Sequence, residues 1–142
     1  MKIRVVNVVD LMTLFPPDRH PHGMSDDAFL ELFTPDKDVI FAFHGYPREV
    51  HQLLHGRPNP NRFHVHGYVE EGTTTTPFDM LVLNEASRYH LCIDGLRHAP
   101  RYQERARELI TMTEAALDAH RKYIVETFED MPAIRNWKWT PD

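Results

Sequence analysis

Several residue types on which large classes of function depend are scarce in this chain. Cysteine occurs once, at Cys92. That excludes a disulfide framework and a zinc knuckle, and it is compatible with a reducing compartment. Glycine occurs only 6 times, and no Gly-rich phosphate-cradling loop is among its placements. Basic residues are outnumbered 16 to 21, for a formal net charge of −5, and form no cluster, which argues against nucleic acid as a partner. No apolar run reaches the ~20 residues needed to span a bilayer, and no signal-peptide pattern opens the chain. A soluble, cytoplasmic protein with no membrane partner is the expectation. Internal repeats are also absent.

What the chain does hold is 10 histidines and 11 prolines in 142 residues. That length suits one domain, residues 1–142, with a single core. Histidine ionises near neutrality, so an excess of it invites a functional reading.

Ile3, Val5, Val6, Val8 and Val9 make a nearly continuous β-branched run, which predicts a strand over 3–9 covered on both faces. A start inside a core strand suggests a piece of something longer. Phe15 to Gly23 carries three prolines and a glycine and predicts loop. Ser25 before Asp26 and Asp27 reads as an N-cap with acids in the first turn. Asp38 to Gly45 is the strongest strand, apolar on both pleat faces from Val39 to Phe43, and Pro47 opens the following helix. A third strand is expected over 62–69. Strand, helix, strand, helix, strand implies parallel βαβ units. The expected fold class is α/β: a three-layer sandwich on a mainly parallel sheet with helices on both faces.

The second half begins at Gly72 to Met80, where four consecutive threonines precede Pro77. Thr76 is a natural cap for a helix starting at Pro77, and Asp79 at its third position can reach back to the Thr76 N–H. Ser87 can cap a second helix, with Tyr89, Cys92, Ile93 and Leu96 at helical spacing; a short edge strand over 89–93 is the alternative. A long helix runs from about 103 to 130, its stripe comprising Ala106, Leu109, Ile110, Leu117, His120, Ile124 and Phe128. Trp137 and Trp139 in the tail are too apolar to be left in water and are expected to dock on the domain or on a partner.

Chemistry is thin. Cys92, between Leu91 and Ile93, reads as a small buried hydrophobe rather than a nucleophile. His64 and His66 share a strand face and can approach one ion, but His20 and His22 lie in a loop of no fixed geometry and no carboxylate has matching spacing. No catalytic, cofactor or metal residues are assigned. His44, Gly45, Tyr46 and Arg48 sit where a strand end meets a helix N-terminus, the place where open α/β sheets bind ligands, and form a candidate regulatory site. Thr73, Thr74, Thr75 and Thr76 carry no neighbouring Lys or Arg, while Glu70, Glu71 and Asp79 oppose a bound anion. With Trp137 and Trp139 they are read as domain contacts.

Long stretches resemble a known family. Asn7 to Met12 (NVVDLM), Pro21 to Asp26 (PHGMSD), Val39 to Pro47 (VIFAFHGYP), Glu70 to Leu91 and Glu129 to Trp139 (EDMPAIRNWKW) are similar, in order, to the C-terminal domain of bacterial xylulose-5-phosphate/fructose-6-phosphate phosphoketolases. The resemblance implies the C-terminal part, roughly the last fifth, of a transketolase-like lyase dependent on thiamine diphosphate and a divalent metal ion. Such an enzyme cleaves the ketose phosphate with inorganic phosphate to acetyl phosphate and an aldose phosphate. It also implies that the cofactor and substrate residues lie in two preceding domains, so that this chain alone is inactive. Its partners would be those domains and further copies of the parent. A structural and assembly role is expected; a regulatory module binding a metabolite or nucleotide near His44 is the alternative.

Overall fold

The computed structural model describes residues 2–70 and 74–139. At its centre β1 (Val39–Ala42) and β2 (Phe63–His66) pair in parallel, Val39 opposite Phe63 and Ile40 opposite His64. Backbone bonds from Phe43 N to His66 O at 2.9 Å and from Tyr68 N to Gly45 O at 2.7 Å carry the association past the formal strand ends. This close approach explains Gly67, where an added Cβ would lie 2.4 Å from the Gly45 carbonyl oxygen. Helix α2 (Pro47–Leu54) makes the crossover that parallel strands require.

Helix α1 (Asp26–Phe33) begins where the capping pattern places it, with Ser25 Oγ accepting from Ala28 N at 3.2 Å. Phe29 and Phe33 from α1, Val50 and Leu54 from α2, and Phe41 and Phe63 from the strands form the first core, closed by Leu14. Three of its rings meet at centroid distances of 4.9 to 5.6 Å, pairs worth roughly 0.5–1.5 kcal/mol each beyond area burial. Buried Arg57 ties the preceding loop to this core. Its Nε donates to Leu14 O, its Nη2 to Met24 O and its Nη1 to Asp26, all at 2.8–2.9 Å.

The first of the three expected strands does not form. Residues 3–9 pair with no strand among the described residues. Val6 and Val8 pack against the first core, but Ile3, Val5 and Val9 are exposed. In place of a ladder, Arg4 Nη1 donates to the Glu31 and Leu32 carbonyls at 2.8 and 2.9 Å, at the end of α1. A β-branched run states preference for extended backbone, but a ladder needs a neighbouring strand. The domain is therefore α/β, with a small parallel sheet of two strands among the described residues where three strands were expected.

In the second half, α3 (Pro77–Leu83) and α4 (Arg88–Arg97) begin at the expected caps, Thr76 and Ser87. Residues 89–93 are helix rather than edge strand. Helix α5 (Gln103–Thr127) packs on α4, and Val82, Ile93 and Leu117 make a second core. Ala106, Leu117, His120 and Ile124 of the expected stripe are buried, whereas Leu109 and Phe128 are not. Phe128 stands beyond the helix end in the left-handed region (φ 57°) and is 83% exposed. Cys92 is exposed, with only its neighbour Ile93 turned inward. A short helix α6 (Pro132–Arg135) follows Met131.

Candidate functional site

The strand face opposite the first core carries the histidines. Period-two alternation points His64 and His66 the same way, and α4 lies across them. They do not converge on one ion, because each finds a separate carboxylate. His64 Nε2 is 2.9 Å from Asp38 Oδ1, and its ring stacks on His98 with centroids 3.6 Å apart. His66 Nε2 is 2.9 Å from Asp94 Oδ2, while its Nδ1 faces the Glu85 carbonyl at 2.9 Å. His98 Nδ1 returns to Asp94 O at 3.0 Å. His20 and His22 stand apart from this cluster, edge to face with each other, with His22 Nδ1 2.8 Å from Asp10. The Asp10 carboxyl is pushed below its ordinary range, first by the hydrogen bond from His22 and then by that from Met12 N.

Two clefts flank His66. One, of about 290 Å³, lies at the strand ends between Val65, Gly67, Val69 and Glu85. The other, of about 370 Å³, holds Glu85, Asp94, Glu114 and Asp118 alongside Arg97 and Arg121. Those two arginines pair with Glu114 and Asp118 at 3.3 and 3.5 Å. The first cleft thus offers an acid at its rim, and the second offers exposed arginine–carboxylate pairs.

Among the described residues, those named at the end of β1 line neither of these clefts. His44, Tyr46 and Arg48 are exposed. The Tyr46 hydroxyl donates to Glu70, which holds the phenol above its ordinary pKa. Arg48 Nε donates to Glu49 at 3.1 Å, and its guanidinium lies 5.2 Å from the Tyr46 ring centroid. Gly45 is committed to the strand pairing.

Thr73 lies outside the described residues. Thr74 is exposed, whereas Thr75 and Thr76 turn their hydroxyls onto carboxylates of this chain. Thr75 Oγ1 donates to Asp79 Oδ2 at 2.9 Å, and Thr76 Oγ1 to Asp130 at 2.6 Å while accepting from Asp79 N at 3.2 Å. Asp79 Oδ1 meets His120 Nε2 at 3.1 Å inside the second core. Sequence reasoning missed this pair: Asp79 looked like a capping acid and His120 like one position in an apolar stripe. A histidine within that stripe was the available signal. Trp137 is half exposed and packs under the Arg88 guanidinium, 4.6 Å from its ring centroid; Trp139 is 76% exposed and meets Trp137 edge on.

Residues 1–139 match the family model described as the XFP C-terminal domain. The chain is 55% identical over 139 residues to a probable phosphoketolase of Bradyrhizobium diazoefficiens, covering 98% of this chain and 17% of that protein. It is 51% identical over 140 residues to a probable phosphoketolase of Brucella abortus, covering 99% and 18%. A protein named probable phosphoketolase 2 of Rhizobium meliloti is 52% identical over 139 residues, covering 98% and 18%. The chain thus spans under a fifth of the length of these curated relatives.

Proposed function

Since this chain belongs to the XFP C-terminal domain family, we propose that it is the structural and assembly domain of a phosphoketolase. The observation that carries this reading is the match along nearly its whole length to proteins of that name, of which it covers 17–18%. In this reading the whole enzyme is a cytoplasmic aldehyde-lyase that cleaves xylulose 5-phosphate or fructose 6-phosphate with inorganic phosphate. Acetyl phosphate and an aldose phosphate are its products. Thiamine diphosphate and its divalent metal ion belong to the preceding domains, and the present chain alone turns over neither sugar.

An assembly role accounts for side chains that are unfavourable in an isolated domain. Trp137, Trp139, Val125 and Phe128 are exposed around the end of α5 and the tail that follows. Phe128 is doubly unfavourable, because the left-handed region costs a bulky residue roughly 1–2 kcal/mol and its ring gains nothing in water. Burial against the preceding domains or a second subunit would offset both.

The test uses the full-length enzyme and the isolated chain. Trp137→Ser with Trp139→Ser is expected to lower oligomerisation in sedimentation, with the Michaelis constant for phosphate nearly unchanged. Thr73→Ala with Thr74→Ala is expected to act in the same direction, more weakly. A large rise in that constant with assembly intact would turn the threonine run into a ligand loop. Acetyl phosphate formation by the isolated chain, supplied with thiamine diphosphate and magnesium, would refute the assignment.

A further inference from the structure

Three side chains far apart in sequence meet on the histidine face. Asp38 immediately precedes β1, His64 lies in β2 and His98 caps α4. Ile40 opposes His64 in the strand register, and Asp38, two residues before Ile40, shares its face. Helix α4 crosses that face closely enough for a Cβ on Gly95 to lie 3.9 Å from Ile40, so its last turn brings His98 over His64. One ligand atom from each of Asp38, His64 and His98 lies within 4.8 Å of the other two. From this geometry we infer a binding site for one divalent transition-metal ion of the zinc class, with Asp38, His64 and His98 as its protein ligands.

The spacing is close to what such an ion needs. Oxygen and nitrogen ligands about 2.0–2.2 Å from a tetrahedral zinc stand about 3.3–3.5 Å apart. His64 Nε2 and Asp38 Oδ1 are separated by 2.9 Å, so an ion between them moves each by a few tenths of an ångström. His64 and His98 stack at an interplanar angle of 29°. Their lone pairs converge when the rings tilt about χ2, a torsion that is broad for histidine. All three side chains reach the surface, which provides an entry path and room for water as a further ligand.

The surroundings of His98 supply an independent argument. Its Nδ1 lies 3.0 Å from the Asp94 main-chain oxygen and 3.3 Å from the Asp94 carboxylate. Both are acceptors only, so Nδ1 carries a proton and Nε2 keeps its lone pair for an ion. Metal-bound histidines usually donate their other N–H to a carbonyl or carboxylate in this way. Asp94 is itself held by His66 Nε2 at 2.9 Å, which braces the carboxylate beside His98. Two imidazoles and one carboxylate select zinc, nickel or copper over magnesium and calcium, which prefer all-oxygen shells. The bound ion pins the beginning of β1, the middle of β2 and the end of α4 together. This inference does not depend on the parent enzyme's activity.

The experiment compares full-length, tag-free protein with its variants after chelator treatment, reloading with zinc and exhaustive dialysis. Zinc per chain is then read by mass spectrometry. Wild type is expected to retain one equivalent more than His98→Ala, and Asp38→Asn to lose the same equivalent. Asp94→Asn is expected to weaken zinc binding about 10- to 100-fold, and His51→Ala, an exposed histidine of α2, to leave it unchanged. Cobalt(II) substituted into wild type should show d–d absorption that disappears in His98→Ala. His98 is partly exposed, so its variant is expected to keep the wild-type circular dichroism. Equal zinc retention in wild type, His98→Ala and Asp38→Asn overturns the site and leaves a stacked histidine pair tied to one carboxylate.

Discussion

Two aspartate–histidine contacts in this domain are chemically alike and physically different. Asp79 and His120 meet at 3.1 Å with side-chain exposures of 9% and 0%. His66 and Asp94 meet at 2.9 Å with exposures of 17% and 19%. The buried pair has one further side-chain partner, Thr75 Oγ1 donating to Asp79 Oδ2 at 2.9 Å, and His120 otherwise meets apolar surface. The His120 ring stands edge on to Phe78 at 5.6 Å, and its Nδ1 has no partner among the described residues. The outer pair sits in a network, Asp94 also meeting His98 and His66 also meeting a carbonyl. Water can replace a lost partner in the second case and not in the first. The same two residue types therefore fix helix α3 to helix α5 in one place and leave a surface cluster in the other.

The largest expected effect breaks the buried pair. His120→Ala should cost about 3 kcal/mol in urea denaturation, since it leaves a buried carboxylate short of a partner and opens a cavity. A cost below about 1 kcal/mol would mean that burial does not separate the two pairs. Asp94→Ala should cost less, about 1 kcal/mol, because its partners regain water. A loss equal to that of His120→Ala would erase the contrast.

A pH dependence sharpens the comparison on the outer side. Burial holds the His90 imidazole below its ordinary pKa; the Arg121 and His66 charges act in the same direction and Glu85 against it. Ser87 Oγ lies 2.7 Å from His90 Nδ1, a contact suited to the neutral ring. The unfolded chain, titrating near the ordinary value of ~6.5, takes up its proton first as pH falls. His90 therefore contributes no loss above that value, and stability declines below it until the folded pKa is passed. His90→Gln should flatten this part of the stability–pH curve. An unchanged slope would remove His90 as its source. The smallest effect is expected for Thr74→Ala in the isolated chain, within about 0.5 kcal/mol, because its side chain is exposed while Thr75 and Thr76 anchor the loop. A larger loss would show that the exposed threonine also holds the loop.

Legibility followed the range of the interaction. Ser25, Thr76 and Ser87 were readable as helix starts because each cap hydroxyl meets a backbone N–H only three residues on. Val39 to Ala42 was readable as a run apolar on both faces, and Phe63 to His66 as an alternation of Phe63 and Val65 with His64 and His66. Residues 3–9 carry a similar pattern and fail, because strand formation also requires an adjacent strand. At the histidine cluster, only the shared face of His64 and His66 was visible. Their separate carboxylates, and the arrival of His98, came from packing. Cys92 misled for a related reason: helical spacing places it near the buried stripe, but Ile93 occupies the inward position.

The sequence by itself determined the family, through long ordered motifs, and the local punctuation of the chain, through proline, caps and turns. These are set by contacts within a few residues, whose geometry the backbone dictates. Only the tertiary structure decided which acids meet which histidines. Asp79 reaches His120 across 41 residues and His64 reaches Asp38 across 26, separations over which no periodicity specifies a partner. Burial was decided there as well: it depends on how α4 packs over the sheet and α5 over α4, and that packing makes one Asp–His pair a core element and the other a surface cluster.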